Sequence, residues 1–142
     1  MLPPFDDIVA NFELLDEWDD RYRYLIELGR EMPPLPADQH TDANKVQGCA
    51  SQVWLDMSLD RSGPQPVLHL RGDSDAHIVR GLVALMIALF EGKTPREAAA
   101  TDAFALYTQL GLGEHLTPQR SNGVRAMADR IHRDATRLTA EA

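Results

Sequence analysis

The apolar positions change their period along the chain, and each change marks an element. Ile8, Phe12 and Leu15 recur at three- and four-residue spacing, and so do Trp18, Tyr22, Leu25 and Leu28. Such spacing lines one stripe of an α-helix, so two amphipathic helices are predicted near the start. Asp16 is the expected N-cap of the second, with Glu17 and Asp19 near the positive end of its dipole. Gly29 and the Pro33-Pro34 pair are expected to end it. Residues 31–45, "EMPPLPADQHTDANK", lack apolar periodicity and are rich in Pro, Asp and Asn. They predict a long ordered loop, and loops this long without secondary structure are often functional.

The period then falls to two. Val53, Leu55, Met57 and Leu59 alternate with Gln52, Trp54, Asp56 and Ser58, the pattern of a strand with one face on a core. "DRSGPQP" supplies turn chemistry, and "VLHLR" follows with Leu68 and Leu70 on one side, which completes an antiparallel hairpin. Two strands alone are marginal, so a third is expected from residues 45–48. A helix is predicted to start near Asp73 or Ser74, with these two as its caps. Its apolar positions Ile78, Val79, Leu82, Val83, Leu85, Met86, Leu89 and Phe90 cover more than half the circumference, which marks a buried central helix. Gly92 is a natural stop. "TPRE" fits a capping box of Thr94, Pro95 and Glu97. A helix around 104–110 comes next, and "GLGEH" reads as a helix-to-loop connection. A last helix runs from Thr117-Pro118 with Val124, Met127, Ala128, Ile131, Ala135 and Leu138 on one face. Strands and helices are segregated, so the fold class is α+β: a small antiparallel sheet covered by helices. The 142 residues contain no internal repeat or low-complexity linker, which predicts one domain over 1–142.

Charge narrows the function. A formal net charge of −8 argues against a surface that tracks nucleic-acid phosphates or binds anionic membranes. No apolar run is long enough to span a bilayer, and the first residues have no basic region followed by an apolar run, so no secretory signal is expected. With one cysteine, a reducing cytoplasm is the expected compartment.

Few residues can carry chemistry. The histidines His40, His69, His77, His115 and His132 are scattered, and none forms a short-spaced ligand pair with another or with Cys49, so no metal is expected. There is no phosphate-binding glycine loop, and no cofactor is expected. Cys49 remains. A free cysteine is most often a small buried hydrophobe. Here it follows Gly48 at the junction of the long loop and the strand, where a tight turn would place the thiol at a loop tip. Lys45 is close in sequence, and a nearby cation favours the reactive thiolate. Three readings stay open on residues alone: a sulfur or thiol-exchange protein, a cysteine hydrolase pairing Cys49 with a histidine, and a partner-stimulating interaction protein. Trp54 points away from Val53 and Leu55, either under a helix or toward a partner.

"VQGCASQVWL" resembles the signature segment of the SufE/CsdE family of sulfur-acceptor proteins. "YLIELGREMPPLP", "LRGDSDAHIVRGLVALM" and "GLGEHLTPQRSNGVRAM" resemble that family's second helix and proline-rich loop, its strand-to-helix passage and its C-terminal passage, in the same order. The resemblance covers about residues 18–130. It implies a fold similar to that of iron–sulfur scaffold proteins. It also implies a protein that takes persulfide sulfur from a pyridoxal-phosphate cysteine desulfurase (SufS/CsdA type), stimulates that enzyme, and passes sulfur to an iron–sulfur scaffold. The pyridoxal phosphate belongs to the partner, and the chain is an accessory transferase, not a stand-alone enzyme. The acceptor cysteine maps onto Cys49. The arginine of the family's C-terminal pattern maps onto Arg120, and the aspartate of its G-D-S motif onto Asp73. With Gly48, Gln52 and Trp54 these are the expected partner-binding or thiol-supporting residues. Ala50 stands where a polar residue would also suit the family, so one hydrogen bond near the sulfur is expected to be absent.

Overall fold

A computed structural model describes residues 2–49 and 51–141; Ala50, and the expectation attached to it, lie outside the described residues. The elements in chain order are α1 (Phe5–Leu14), α2 (Trp18–Glu31), a short 3-10 turn (Ala37–Gln39), β1 (Val53–Asp60), β2 (Val67–Ser74), α3 (His77–Phe90), α4 (Pro95–Ala99), α5 (Ala103–Gln109), α6 (Leu112–His115) and α7 (Pro118–Thr139). This is the α+β class expected, with helices packed on a small antiparallel sheet.

Helix α3 is the centre. Eleven of its fourteen residues are buried, and it packs against α2, β2, α7 and α1. Helices α1 and α2 turn their apolar stripes inward through Ile8, Phe12, Leu25 and Leu28. Two expectations about α2 are corrected. Its N-cap position is Glu17, not Asp16, because the first helical bond runs from the Arg21 amide to the Glu17 carbonyl. Gly29 does not end the helix; it is buried inside it. A β-carbon at Gly29 would lie 2.9 Å from the Gly81 amide nitrogen, so the two glycines let the backbones of α2 and α3 approach. The stop comes at Met32, held extended ahead of Pro33.

Strands β1 and β2 pair in the register Val53↔Ser74 through Asp60↔Val67. β2 runs further than expected, and α3 starts at His77 with Ala76 in the cap position. Asp73 and Ser74 are therefore strand residues, not helix caps. Gly72 allows this continuation under α3, since a β-carbon there would lie 2.7 Å from Val83 Cγ1. The third strand is reduced to a single bridge, Lys45↔Trp54. Val46 donates to the Val53 carbonyl and Leu55 to that of Asn44, each at 2.8 Å. A turn closed by the Thr41 carbonyl precedes this contact and the turn at Gly48 follows it, so there is no length for more. Trp54 meets the long loop, its ring lying edge-on to that of His40 at 4.5 Å.

The second half follows the pattern closely. The capping box at α4 forms, with Glu97 N–H on Thr94 Oγ1 at 3.2 Å and Thr94 N–H on Glu97 Oε1 at 3.0 Å. "GLGEH" makes a helical turn of its own, α6, entered through Gly111 at φ 77°. Helix α7 begins at Thr117-Pro118, and all six predicted core positions are buried. No helix of the described residues is long and apolar enough to cross a membrane.

Candidate functional site

Gly48 sits at φ +93°, a conformation that favours glycine. Its turn lays the next residue on α7. There Cys49 is partly buried, and its Sγ donates a weak hydrogen bond to the Gly123 carbonyl at 3.6 Å. Gly123 is buried, and a β-carbon there would stand 3.6 Å from the sulfur, at ordinary contact distance.

The thiol opens on a small cavity floored by Val79 and Leu82 of α3 and Met127 of α7, with Ser51, Gln119 and Arg120 at its polar side. Its volume is about 20 Å³, room for one water-sized group. Burial pushes the Cys49 thiol above its ordinary pKa, and no neighbouring charge is strong enough to reverse the shift. At rest the sulfur is a shielded thiol, whereas the attacking species in sulfur chemistry is the thiolate.

The sequence-predicted residues divide into two groups. Cys49 and Arg120 line this cavity, and Gly48 stands beside it in the turn, where a β-carbon would lie 3.4 Å from that of Ala126. Gln52 lies just outside it: its amide donates to Asp75 Oδ1 at 3.1 Å, and its carbonyl accepts from the Asp75 amide at 3.3 Å. Trp54 and Asp73 do not line the cavity. They face each other across the strand pair, where Asp73 Oδ2 pairs with His40 Nε2 at 2.9 Å and Oδ1 with Arg80 Nη1 at 2.7 Å. Lys45 does not line the cavity either; its backbone carbonyl is held by Arg130. Sequence reasoning did not single out Gly123, although a glycine within a helical apolar face signals close approach. Among the described residues no group of three or more His, Cys, Asp or Glu is placed to hold a metal ion.

The family described as the Fe-S metabolism associated domain (SufE) matches residues 6–135. SufE-like proteins of Rhizobium etli and Rhizobium meliloti are each 51% identical to the chain over 130 residues. The alignment covers 92% of this chain and, respectively, 88% and 93% of theirs. The solution structure of a hypothetical protein from Thermus thermophilus shares the fold at TM-score 0.75 and 22% identity, over 99% of each chain. The 51% identity to the two rhizobial proteins over nearly the whole length, with a family match spanning the thiol loop and most of α7, shows that this chain belongs to the SufE family.

Proposed function

We propose that the protein accepts persulfide sulfur from a pyridoxal-phosphate cysteine desulfurase onto Cys49 and delivers it to an iron–sulfur scaffold. The observation that carries this reading is the seating of Cys49, in a family tied to Fe-S metabolism: the thiol adjoins a cavity of about 20 Å³, enough for one further atom-sized group. The span of the family match supports treating 1–142 as one SufE-like domain, and a reducing cytoplasm suits a persistent free thiol.

The reaction is thiol exchange. The Cys49 thiolate attacks the outer sulfur of the donor persulfide; a new S–S bond forms at Cys49, the donor's S–S bond breaks, and the donor cysteine leaves as a thiolate that takes up the proton Cys49 lost. No external oxidant or reductant is required. A lone thiol suits a carrier, because a neighbouring cysteine would expel the sulfur as a disulfide. Between partners, Val79, Leu82 and Met127 would shield the outer sulfur, while Arg120 offers a cation to a persulfide anion. Gly48 supports the thiol through its turn, and Gln52, Trp54 and Asp73 serve as partner-binding or thiol-supporting residues. To react, Cys49 has to leave its bond to Gly123, so docking would carry the Gly48-Cys49 loop outward.

The decisive measurement is the mass of the Cys49 peptide after incubation with a desulfurase and free cysteine, where a gain of about 32 Da, one sulfur, is expected. No gain with any competent desulfurase overturns the reading. A trapped acyl adduct would instead indicate a cysteine hydrolase, for which the cavity offers no histidine among its described lining residues. Desulfurase stimulation that survives Cys49→Ser intact would indicate partner binding alone. Hydrogen exchange across residues 46–51 should rise on docking; identical exchange with and without the desulfurase would rule out the outward movement.

A further inference from the structure

We propose that Arg130 is a positioning residue for Cys49: reaching from α7, it fastens the backbone that leads into the thiol loop and thereby sets how firmly the thiol is seated on Gly123. The inference rests on Cys49 as the sulfur acceptor and adds to it what holds that cysteine at rest.

Arg130 Nη2 donates to the Ala43 carbonyl at 2.7 Å, Nη1 to the Lys45 carbonyl at 3.2 Å, and Nε to Asp134 Oδ2 at 2.9 Å. The guanidinium is a rigid planar fork, so fixing one edge on Asp134 aims the other two donors. Asp134 is one turn further along α7 and fixes that edge. Both side chains are largely buried, at 17% and 19% exposure, which separates the pair from an ordinary solvated surface bridge.

The captured segment leaves the turn at 42–44 and bridges β1 at Lys45, and its backbone groups divide between two partners. Asn44 O and Val46 N–H bind β1, whereas Ala43 O and Lys45 O bind Arg130. The stem is thus held from the sheet on one side and from α7 on the other. Four residues past Lys45 comes Cys49, whose sulfur touches Gly123, about two turns before Arg130 on the same helix. One helix therefore holds the loop twice: strongly at the stem, by charged donors, and weakly at the tip, by a thiol. That asymmetry lets the tip release while the stem stays in place.

The test is alkylation of Cys49 by iodoacetamide in the full chain, read by peptide mass from neutral to alkaline pH. Freeing the stem should let the thiol leave its cavity more often, so Arg130→Met should raise the rate at neutral pH at least about five-fold. It should also move the midpoint of the pH profile down toward that of an exposed cysteine. A purely architectural loss elsewhere would not shift that midpoint. Arg120 is the charged group lining the cavity, α3 contributes only Val79 and Leu82 to it, and the variant changes none of these. Arg130→Lys should give a smaller rise, and Arg137→Met, on the exposed side of α7, none. Wild-type rate and midpoint in a folded Arg130→Met overturn the proposal. If that variant does not fold, Asp134→Asn, which removes the partner that aims the fork, is read in the same way with the same two outcomes. Alkylation needs no desulfurase, so a wild-type chain that gains no sulfur overturns the acceptor reading, whereas unchanged alkylation overturns only the role of Arg130.

Discussion

Cys49 rests in a setting that works against its own nucleophilicity, since desolvation favours the neutral thiol. The same shift bears on stability. A thiol whose pKa is raised in the folded state binds its proton more tightly there than in the unfolded chain. Its contribution is complete below the unfolded value and is lost as pH rises through the folded one. Melting temperatures of wild type and Cys49→Ser should therefore diverge above the ordinary thiol range, with the wild type losing ground; parallel curves there would contradict a desolvated thiol. Gly48→Ala tests the turn itself. A side chain at φ +93° is strained, and its β-carbon would lie 3.4 Å from that of Ala126, so a loss of about 1–2 kcal/mol is expected in urea unfolding. Cys49 and Gly48 were legible because a lone thiol after a glycine at a loop–strand junction is an uncommon pattern, and Arg120 was legible only through the family resemblance. The carbonyl of Gly123 was not legible: a backbone acceptor inside a helix has no side chain to announce it, and its meeting with Cys49 spans 74 positions.

At the scale of elements, period carried most of the reading. The broad apolar face of α3, the alternation in β1 and the stripe of α7 each have one periodicity and one burial pattern, so tertiary contacts had little to override. Failures came where a residue has two meanings. Gly29 is a plausible stop by local rules, yet it faces Gly81 across a helix crossing. Asp73 and Ser74 look like caps, yet strand pairing with Val53 and Trp54 takes that stretch first. The crossing makes a sharp prediction. A β-carbon at Gly81 would fall on the Leu25 carbonyl, which belongs to the backbone of α2 and cannot step aside as a side chain end would. Gly81→Ala should cost about 3 kcal/mol or more, at the upper end of overpacking. Gly63→Ala, in the hairpin turn with nothing within 4 Å of the new carbon, should change stability by no more than about 0.5 kcal/mol. Equal losses in the two variants would mean that the α2–α3 approach is not what Gly81 provides.

Across the whole molecule, the long loop is a fastened strap between α2 and the sheet, and its fastenings come from elements far apart in the chain. His40 is tied to Asp73, the stem to β1 and Arg130, and Gln52 to Asp75. Hydrophobic pattern predicts none of these ties, since each is one polar group finding another across the fold. Asp73 is the busiest of them. One carboxylate oxygen takes the loop's His40, and the other takes Arg80 of α3, whose guanidinium also reaches the Gly29 carbonyl of α2 at 3.1 Å. Asp73, through Arg80, thus joins loop, sheet and two helices. At 14% exposure for Asp73 and 25% for Arg80, the pair is partly desolvated, and removing one partner leaves the other short of its charge. Asp73→Ala should therefore cost about 2–3 kcal/mol, somewhat below a fully buried pair. A double-mutant cycle with Arg80→Ala isolates the bond from the losses each residue brings alone, and a coupling of about 1–3 kcal/mol is expected. Additive losses in urea unfolding would mean that the four segments are held by their apolar packing and that the Asp73–Arg80 pair contributes nothing beyond it.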